Sequence, residues 1–234
     1  MPSKSKTAAL KAAFPHTVPI MAGFLFLGIT YGVYMHASGF SAWYPFLMSV
    51  TIFGGSLEFV AVSMLMSSFA PLQTLLVAFV LQARHLFYGI AMLEKYRGTG
   101  RKKWYLIFGM CDESFSINYA VTPPPEVDRG WFMFFVTLLN HAYWVTGATL
   151  GGLLGALISF DMAGIEFVMT ALFVVIFLEQ WRKEKRHISS VIGVLSAAGC
   201  LAVFGKESFM IPTLLCMFVL IWCCRRPIEK AGDE

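Results

Sequence analysis

Residues 71–93 read PLQTLLVAFVLQARHLFYGIAML, and the fold turns on how this stretch is read. An apolar run of this length crosses about 30 Å of hydrocarbon at about 1.5 Å per helical residue. Yet Arg84 and His85 stand side by side at its middle. An ionisable side chain at bilayer depth costs roughly 2.5–3.5 kcal/mol on insertion scales. Chains keep one there to face a partner, a water-filled cavity or a transported substrate. Working outward, the pattern recurs: Glu58, Asp112, Glu113, His141 and Glu166 also fall in or beside apolar stretches. Such recurrence points to a transporter and away from a simple anchor.

Composition agrees. The chain has 234 residues, 57% hydrophobic and 14% charged, where a soluble domain carries about 25% charged residues. Eight apolar segments are expected, at 17–37, 43–68, 71–93, 104–122, 130–149, 150–178, 189–205 and 208–224. Trp43, Trp104, Trp131, Trp181 and Trp222 fall near segment edges, as an interfacial aromatic belt requires, and Trp144 is interior. The expected class is an all-α polytopic membrane protein with a single transmembrane domain, 17–224. A cytoplasmic interfacial arm, 1–16, carries Lys4, Lys6 and Lys11 and no cleavage-site pattern. A cytoplasmic tail, 225–234, follows. No stretch is basic enough to suggest nucleic-acid binding. Cys111, Cys200, Cys216, Cys223 and Cys224 show no CxxC spacing, so neither a disulfide framework nor a metal site is expected.

Most of the 18 Lys and Arg residues fall in four groups. They precede segment one, follow segment three (Lys95–Lys103), follow segment six (Arg182–Arg186) and follow segment eight (Arg225–Lys230). The positive-inside rule wants all four in the cytoplasm, with both termini there. Eight simple crossings cannot deliver this. Two re-entrant hairpins repair it, one at 43–68 entering from outside and one at 150–178 entering from inside. That leaves about six spanning helices. Gly54-Gly55-Ser56 and Asp161-Met162-Ala163-Gly164 supply the breaks. The two breaks also look alike. Gly55-Ser56-Leu57-Glu58-Phe59-Val60 compares with Ala163-Gly164-Ile165-Glu166-Phe167-Val168 at a spacing of 108 (58 against 166). The comparison suggests an inverted repeat, 17–122 against 130–224, with segment one matched to 125–145. The rival reading is two ordinary kinked spans.

Three clusters carry the chemistry. At Gly54, Gly55 and Ser56 a helix restarts, and its free N–H groups and dipole suit a carboxylate. Glu58, one turn in, suits an ammonium group or a proton, or else pairs with Arg84. Arg84 stays charged and needs an acid or a carboxylate ligand; Asp112 or Glu113 would serve. His85 can relay a proton, and His85 with Asp112 are the coupling candidates. Cys111-Asp112-Glu113-Ser114 reads as mid-helix in segment four. Glu166 is the candidate mirror of Glu58. His141 reads as a buried histidine bonded to a neighbouring helix.

Phe53-Gly54-Gly55-Ser56-Leu57-Glu58-Phe59, Arg84-His85-Leu86-Phe87-Tyr88-Gly89 and Phe108-Gly109-Met110-Cys111-Asp112-Glu113-Ser114-Phe115, in that order, resemble the AzlC family. Gly164-Ile165-Glu166-Phe167 resembles a later element of the same pattern. The resemblance spans about Phe14 to Trp181. It departs at Glu58, where the family pattern often has Gln, and at Gln82 and Cys111. It implies a large subunit of a branched-chain amino-acid exporter in the bacterial inner membrane, with a small AzlD-like membrane partner.

With no nucleotide-hydrolysis motif, an ion or proton gradient is the expected energy source, and no cofactor or metal is expected. The residues expected to touch substrate are Gly54, Gly55, Ser56, Glu58, Arg84, Asp112, Glu113 and Glu166. A channel or a non-catalytic structural subunit is the first alternative, and an intramembrane enzyme the second.

Overall fold

Small residues decide where the two longest helices meet. In the computed structural model, residues 6–157 and 187–223 are described, with 174, 177, 178, 181 and 182 between them. Helix α1 runs Lys6–Ala37 and helix α8 runs Arg129–Leu154. A Cβ added at Gly28 would meet the backbone of Ala148 at 2.9 Å, and one at Gly147 would meet Leu25 and Phe24 carbonyls at 2.9 and 3.1 Å. Gly32 touches Ala148 and Gly151, and His36 touches Gly155. Only glycine allows backbones this close, as in small-xxx-small helix crossings. The register advances in step, from Gly28 at Gly147 to His36 at Gly155. The two helices therefore run parallel.

Two expectations change here. The arm 1–16 does not end before a span begins. Ala9 and Ala13 are fully buried, packed with Met92, Leu106, Phe132, Met133 and Val136, so the helix is held from Lys6 onward, through Pro15 and Pro19. The proposed match of segment one to 125–145 also fails, because an inverted repeat needs those elements antiparallel.

Between α1 and α8 the described residues form six shorter helices: α2 Trp43–Thr51, α3 Gly55–Met66, α4 Pro71–Leu81, α5 Arg84–Met92, α6 Lys102–Phe108 and α7 Asp112–Ala120. Segment two is broken, as expected, at Ile52–Gly54. Phe53 adopts φ 45, a left-handed conformation uncommon for a residue with a Cβ. Pro45 at the start of α2 lies against Gly152, near the C-terminal end of α8. Ser49 reaches His141 and Gly55 faces Trp144, so the break sits half-way along α8. Phe59 then packs on Tyr31 and Tyr34 of α1, back toward the starting end. So 43–66 enters and leaves at one end, which is the expected hairpin.

Segment three, expected as one helix, bends by 52° between α4 and α5. Segment four, expected as a crossing, is the second hairpin. Lys6 from α1 and Lys102 from α6 both lie over the Trp131 ring, 4.5 and 4.6 Å from its centroid. Lys95, just beyond α5, donates to the Tyr119 carbonyl at the end of α7 and covers its ring at 3.9 Å. Residues 102–120 thus leave and return at the end where α1 and α8 begin. Helices of 7 and 9 residues reach only about 10–14 Å each at 1.5 Å per residue.

The expected boundary at 149/150 is absent, since α8 is continuous to Leu154 and a 3-10 turn follows at Gly155–Leu157. Gly151 and Gly152, just past that boundary, serve as packing surface. The remainder of the expected hairpin at 150–178, with Asp161, Gly164 and Glu166, lies outside the described residues, as does the tail 225–234. By length and apolarity α1 could cross a membrane, as could α4 and α5 taken as one bent span. Beyond Ile165 a second unit begins. There α9 (Ile188–Ser208) packs on α10 (Met210–Cys223), with Gly205 leaving helical geometry at φ 71.

Candidate functional site

The hairpin tips enter from opposite ends and both reach the α4–α5 break. At the first tip, Glu58 is fully buried in the first turn of α3. Its Oε1 accepts from the Gly54 N–H at 3.0 Å and from the Trp144 indole N–H at 2.9 Å. Oε2 has no partner. One of the amides expected to hold an anion is thus taken by the protein's own carboxylate.

The break at Gln82–Ala83 lies directly against this tip, with the Gln82 amide touching Gly54 on the face where a Cβ would project. Two residues on, Arg84 opens α5 and pairs with Asp112, the first residue of α7, at 2.9 Å. Of the acids offered to Arg84 by the sequence, Asp112 takes it. His85 Nδ1 lies 3.3 Å from the Gln82 carbonyl, which only accepts, so Nδ1 carries the proton. The same carbonyl accepts the His85 backbone N–H at 3.0 Å.

At the second tip, Cys111 caps α7. Its Sγ accepts from Ser114 N–H, and Ser114 Oγ accepts from Cys111 N–H at 2.8 Å. The cluster Cys111–Ser114 is therefore a helix start, where two carboxylates complement the positive dipole end, and not mid-helix as expected. Gly109 lies against Thr137 of α8, where a Cβ would meet Cγ2 at 2.5 Å. Asn118 donates to Thr137 Oγ1 at 3.4 Å.

One stripe of α8 faces all of this. Thr137, His141 and Trp144 follow the spacing that places residues on one helix face. His141 Nε2 lies 3.2 Å from the Ser49 carbonyl and Nδ1 lies 2.9 Å from the Tyr105 hydroxyl. The carbonyl only accepts, so Nε2 donates and Nδ1 accepts from the tyrosine. The expected bond to a neighbouring helix is present twice over, to α2 and to α6. Asn140 beside it is fully buried with neither amide atom partnered. Trp144 and Gln82 escaped the expected list. The interior position of Trp144 among edge tryptophans was the available signal.

Chemically, Glu58 Oε2, Gln82 Oε1 and Asp112 Oδ1 are unmatched acceptors, and Arg84 Nε is an unmatched donor. Buried polar atoms normally find partners, so a group of orphans marks a place for water, an ion or a ligand. Among the described residues no three His, Cys, Asp or Glu side chains could share a metal ion.

The family model described as "AzlC protein" matches residues 19–158, which include both hairpins and the ion pair. The chain belongs to the AzlC family. The branched-chain amino acid transport protein AzlC of Bacillus subtilis (strain 168) is 58% identical over 224 residues, covering 96% of this chain and 88% of that protein. An uncharacterized membrane protein of Haemophilus influenzae is 51% identical over 216 residues, covering 92% of this chain and 88% of that protein. Another of Helicobacter pylori (strain J99) is 35% identical over 221 residues, covering 94% and 97%. No solved structure matches this AzlC chain.

Proposed function

We propose that this chain is a multi-pass protein of the bacterial inner membrane that transports branched-chain or similar hydrophobic amino acids. The substrate sits where the two hairpin tips meet the α4–α5 break. The observation that carries this reading is the set of unmatched atoms on Glu58, Gln82, Arg84 and Asp112. A zwitterion needs both an acceptor set and a donor. Glu58 Oε2 and Gln82 Oε1, both unmatched, suit the ammonium group. Arg84 Nε, held by Asp112, suits the carboxylate. Gly54, Gly55 and Ser56 let backbone approach the ligand, and Glu113 completes the proposed set. Phe and Met side chains supply the apolar surround.

The name of the Bacillus subtilis relative supports the substrate class. We further propose export as the direction and an ion or proton gradient as the energy source, with His85 and Asp112 as coupling residues. The partner would be a small AzlD-like membrane subunit. Both termini would lie in the cytoplasm with Lys6 and Lys95–Lys103. As a test, labelled leucine flux through purified protein in liposomes is compared for parent, Arg84→Ala and Asp112→Asn. Both variants should lose most of the flux. Parental rates in both would remove the site.

A further inference from the structure

The two hairpins share more than a shape. Phe53-Gly54-Gly55-Ser56-Leu57-Glu58 and Phe108-Gly109-Met110-Cys111-Asp112-Glu113 align without a gap at a spacing of 55 (54 against 109). Each places Phe-Gly at the turn, Ser or Cys two residues on and Glu four residues after the glycine. The helices preceding them match too. Tyr31-Gly32-Val33 of α1 compares with Tyr88-Gly89-Ile90 of α5 at a spacing of 57 (31 against 88), two residues off the register of the tips, while the ends of α1 and α5, Ala37 and Met92, are 55 apart (37 against 92). The packing repeats too, with its phenylalanine one residue off the register of the tips (59 against 115, a spacing of 56). Tyr31 of α1 meets Phe59 of α3 at a ring-centroid distance of 5.4 Å, and Tyr88 of α5 meets Phe115 of α7 at 4.3 Å. In both cases the span's tyrosine packs on the returning arm of the hairpin that follows it.

The orientation is reversed between the copies. The first hairpin enters at the C-terminal end of α8, the second at its N-terminal end. His141 stands between them. Its ring lies 4.5 Å from Phe53 and 5.7 Å from Phe108, the matching phenylalanines of the two tips. Its two nitrogens bond to one arm of each hairpin, through the Ser49 carbonyl and the Tyr105 hydroxyl.

We propose that 6–66 and 71–120 are two inverted copies of one span-plus-hairpin unit, and that each hairpin is the gate for the end it enters, with His141 as the shared latch. Inverted units built around broken helices, meeting at mid-depth, are a general way to give one site two alternating entrances. Releasing the Ser49 bond frees the first gate. Releasing the Tyr105 bond frees the second. The word gate rests on the transport reading, while the duplication and the latch stand on packing.

The test is side-resolved thiol labelling with a membrane-impermeant maleimide, in right-side-out and inside-out vesicles. Cys200, Cys216, Cys223 and Cys224 are replaced by Ser. Cys111 then reports the second tip, and Ser56→Cys with Cys111→Ser reports the first. Cys111 should react faster from the face bearing Lys95–Lys103, and the Ser56→Cys thiol faster from the opposite face. Faster reaction of both from one face, or of neither from any face, overturns the proposal. Tyr105→Phe should speed Cys111 labelling several-fold and leave the Ser56→Cys thiol unchanged. His141→Leu should speed both. His141→Gln, whose amide can donate to Ser49 and accept from Tyr105, should restore the parental rates. Uniform changes across the three variants would contradict the latch. Labelling needs no turnover, so a chain that labels as expected but moves no leucine would sink the transport reading alone.

Discussion

Trp144 and Glu58 are joined by a 2.9 Å hydrogen bond, indole N–H to carboxylate Oε1, across 86 residues of chain. That bond fixes the first hairpin tip to α8 at the depth where the second tip arrives. It also orients the carboxylate, leaving Oε2 unmatched.

Trp144→Phe should therefore do two things. Removing one partner of a buried hydrogen bond costs about 1–3 kcal/mol. The purified variant should melt at lower temperature, and its leucine flux should fall because Glu58 can rotate. Glu58→Gln keeps an acceptor oxygen for Gly54 and Trp144, so its melting point should stay near the parent while flux falls. A parental melt and flux for Trp144→Phe would show that the bond positions nothing.

Gly54 offers a test of the contact between the first tip and the α4–α5 break. A Cβ there would run into the Gln82 amide. Gly54→Ala should lower flux, and adding Gln82→Ala should recover part of the lost stability by making room. The coupling expected for residues in direct contact is about 0.5–3 kcal/mol, read as a thermal-melt double-mutant cycle. Simple additivity of the two substitutions would separate the tip from the break.

The ion pair of Arg84 and Asp112 joins the break to the second tip. Removing one partner leaves a charge uncompensated at depth, a loss of about 3–5 kcal/mol where the pair is buried and less here, since both side chains are about one-third or more exposed, at 41% and 33%. Arg84→Asp with Asp112→Arg restores the attraction. If Arg84 also binds substrate, the swapped protein should recover expression and melting temperature but not flux. Recovery of both would reduce the pair to a structural tie.

The parallel packing of α1 on α8 predicts a steep size limit. Gly28, Gly32, Gly147 and Gly151 leave no space for side chains, and forcing extra atoms into a packed contact costs about 1–3 kcal/mol or more. Gly151→Leu should prevent accumulation of folded protein, judged by size-exclusion chromatography in detergent. At Gly23, where nothing lies within 4 Å, Gly23→Leu should be tolerated.

Much of this was legible in the residues, though unevenly. Gly54-Gly55-Ser56 announced the first hairpin because consecutive small residues interrupt an apolar run. The second hairpin was hidden, because 104–122 is long enough to span. What turns it back is the docking of Lys102 on Trp131 and of Lys95 on Tyr119, and such pairings between distant residues leave no periodic trace. One local signal existed: the Cys111–Ser114 capping box marks a helix start. The boundary expected at 149/150 is absent because Gly151 and Gly152 lie within α8, where they pack against Ile29 and against Pro45 and Ala42. The family motifs were readable because rare charges at depth stand out. The partner of each charge was not, which is why Arg84 had several candidate acids and Glu58 no forecast bond to Trp144.

The most direct test of the shared site is ligand-dependent melting of the purified protein. A ligand that binds only the folded state at about 100 times its Kd stabilises it by about 2.7 kcal/mol. Leucine, isoleucine or valine should raise the melting temperature of the parent in a saturable way. Glu58→Gln and Arg84→Lys should fold but lose that rise. An equal rise in parent and both variants would place the substrate elsewhere and contradict the account.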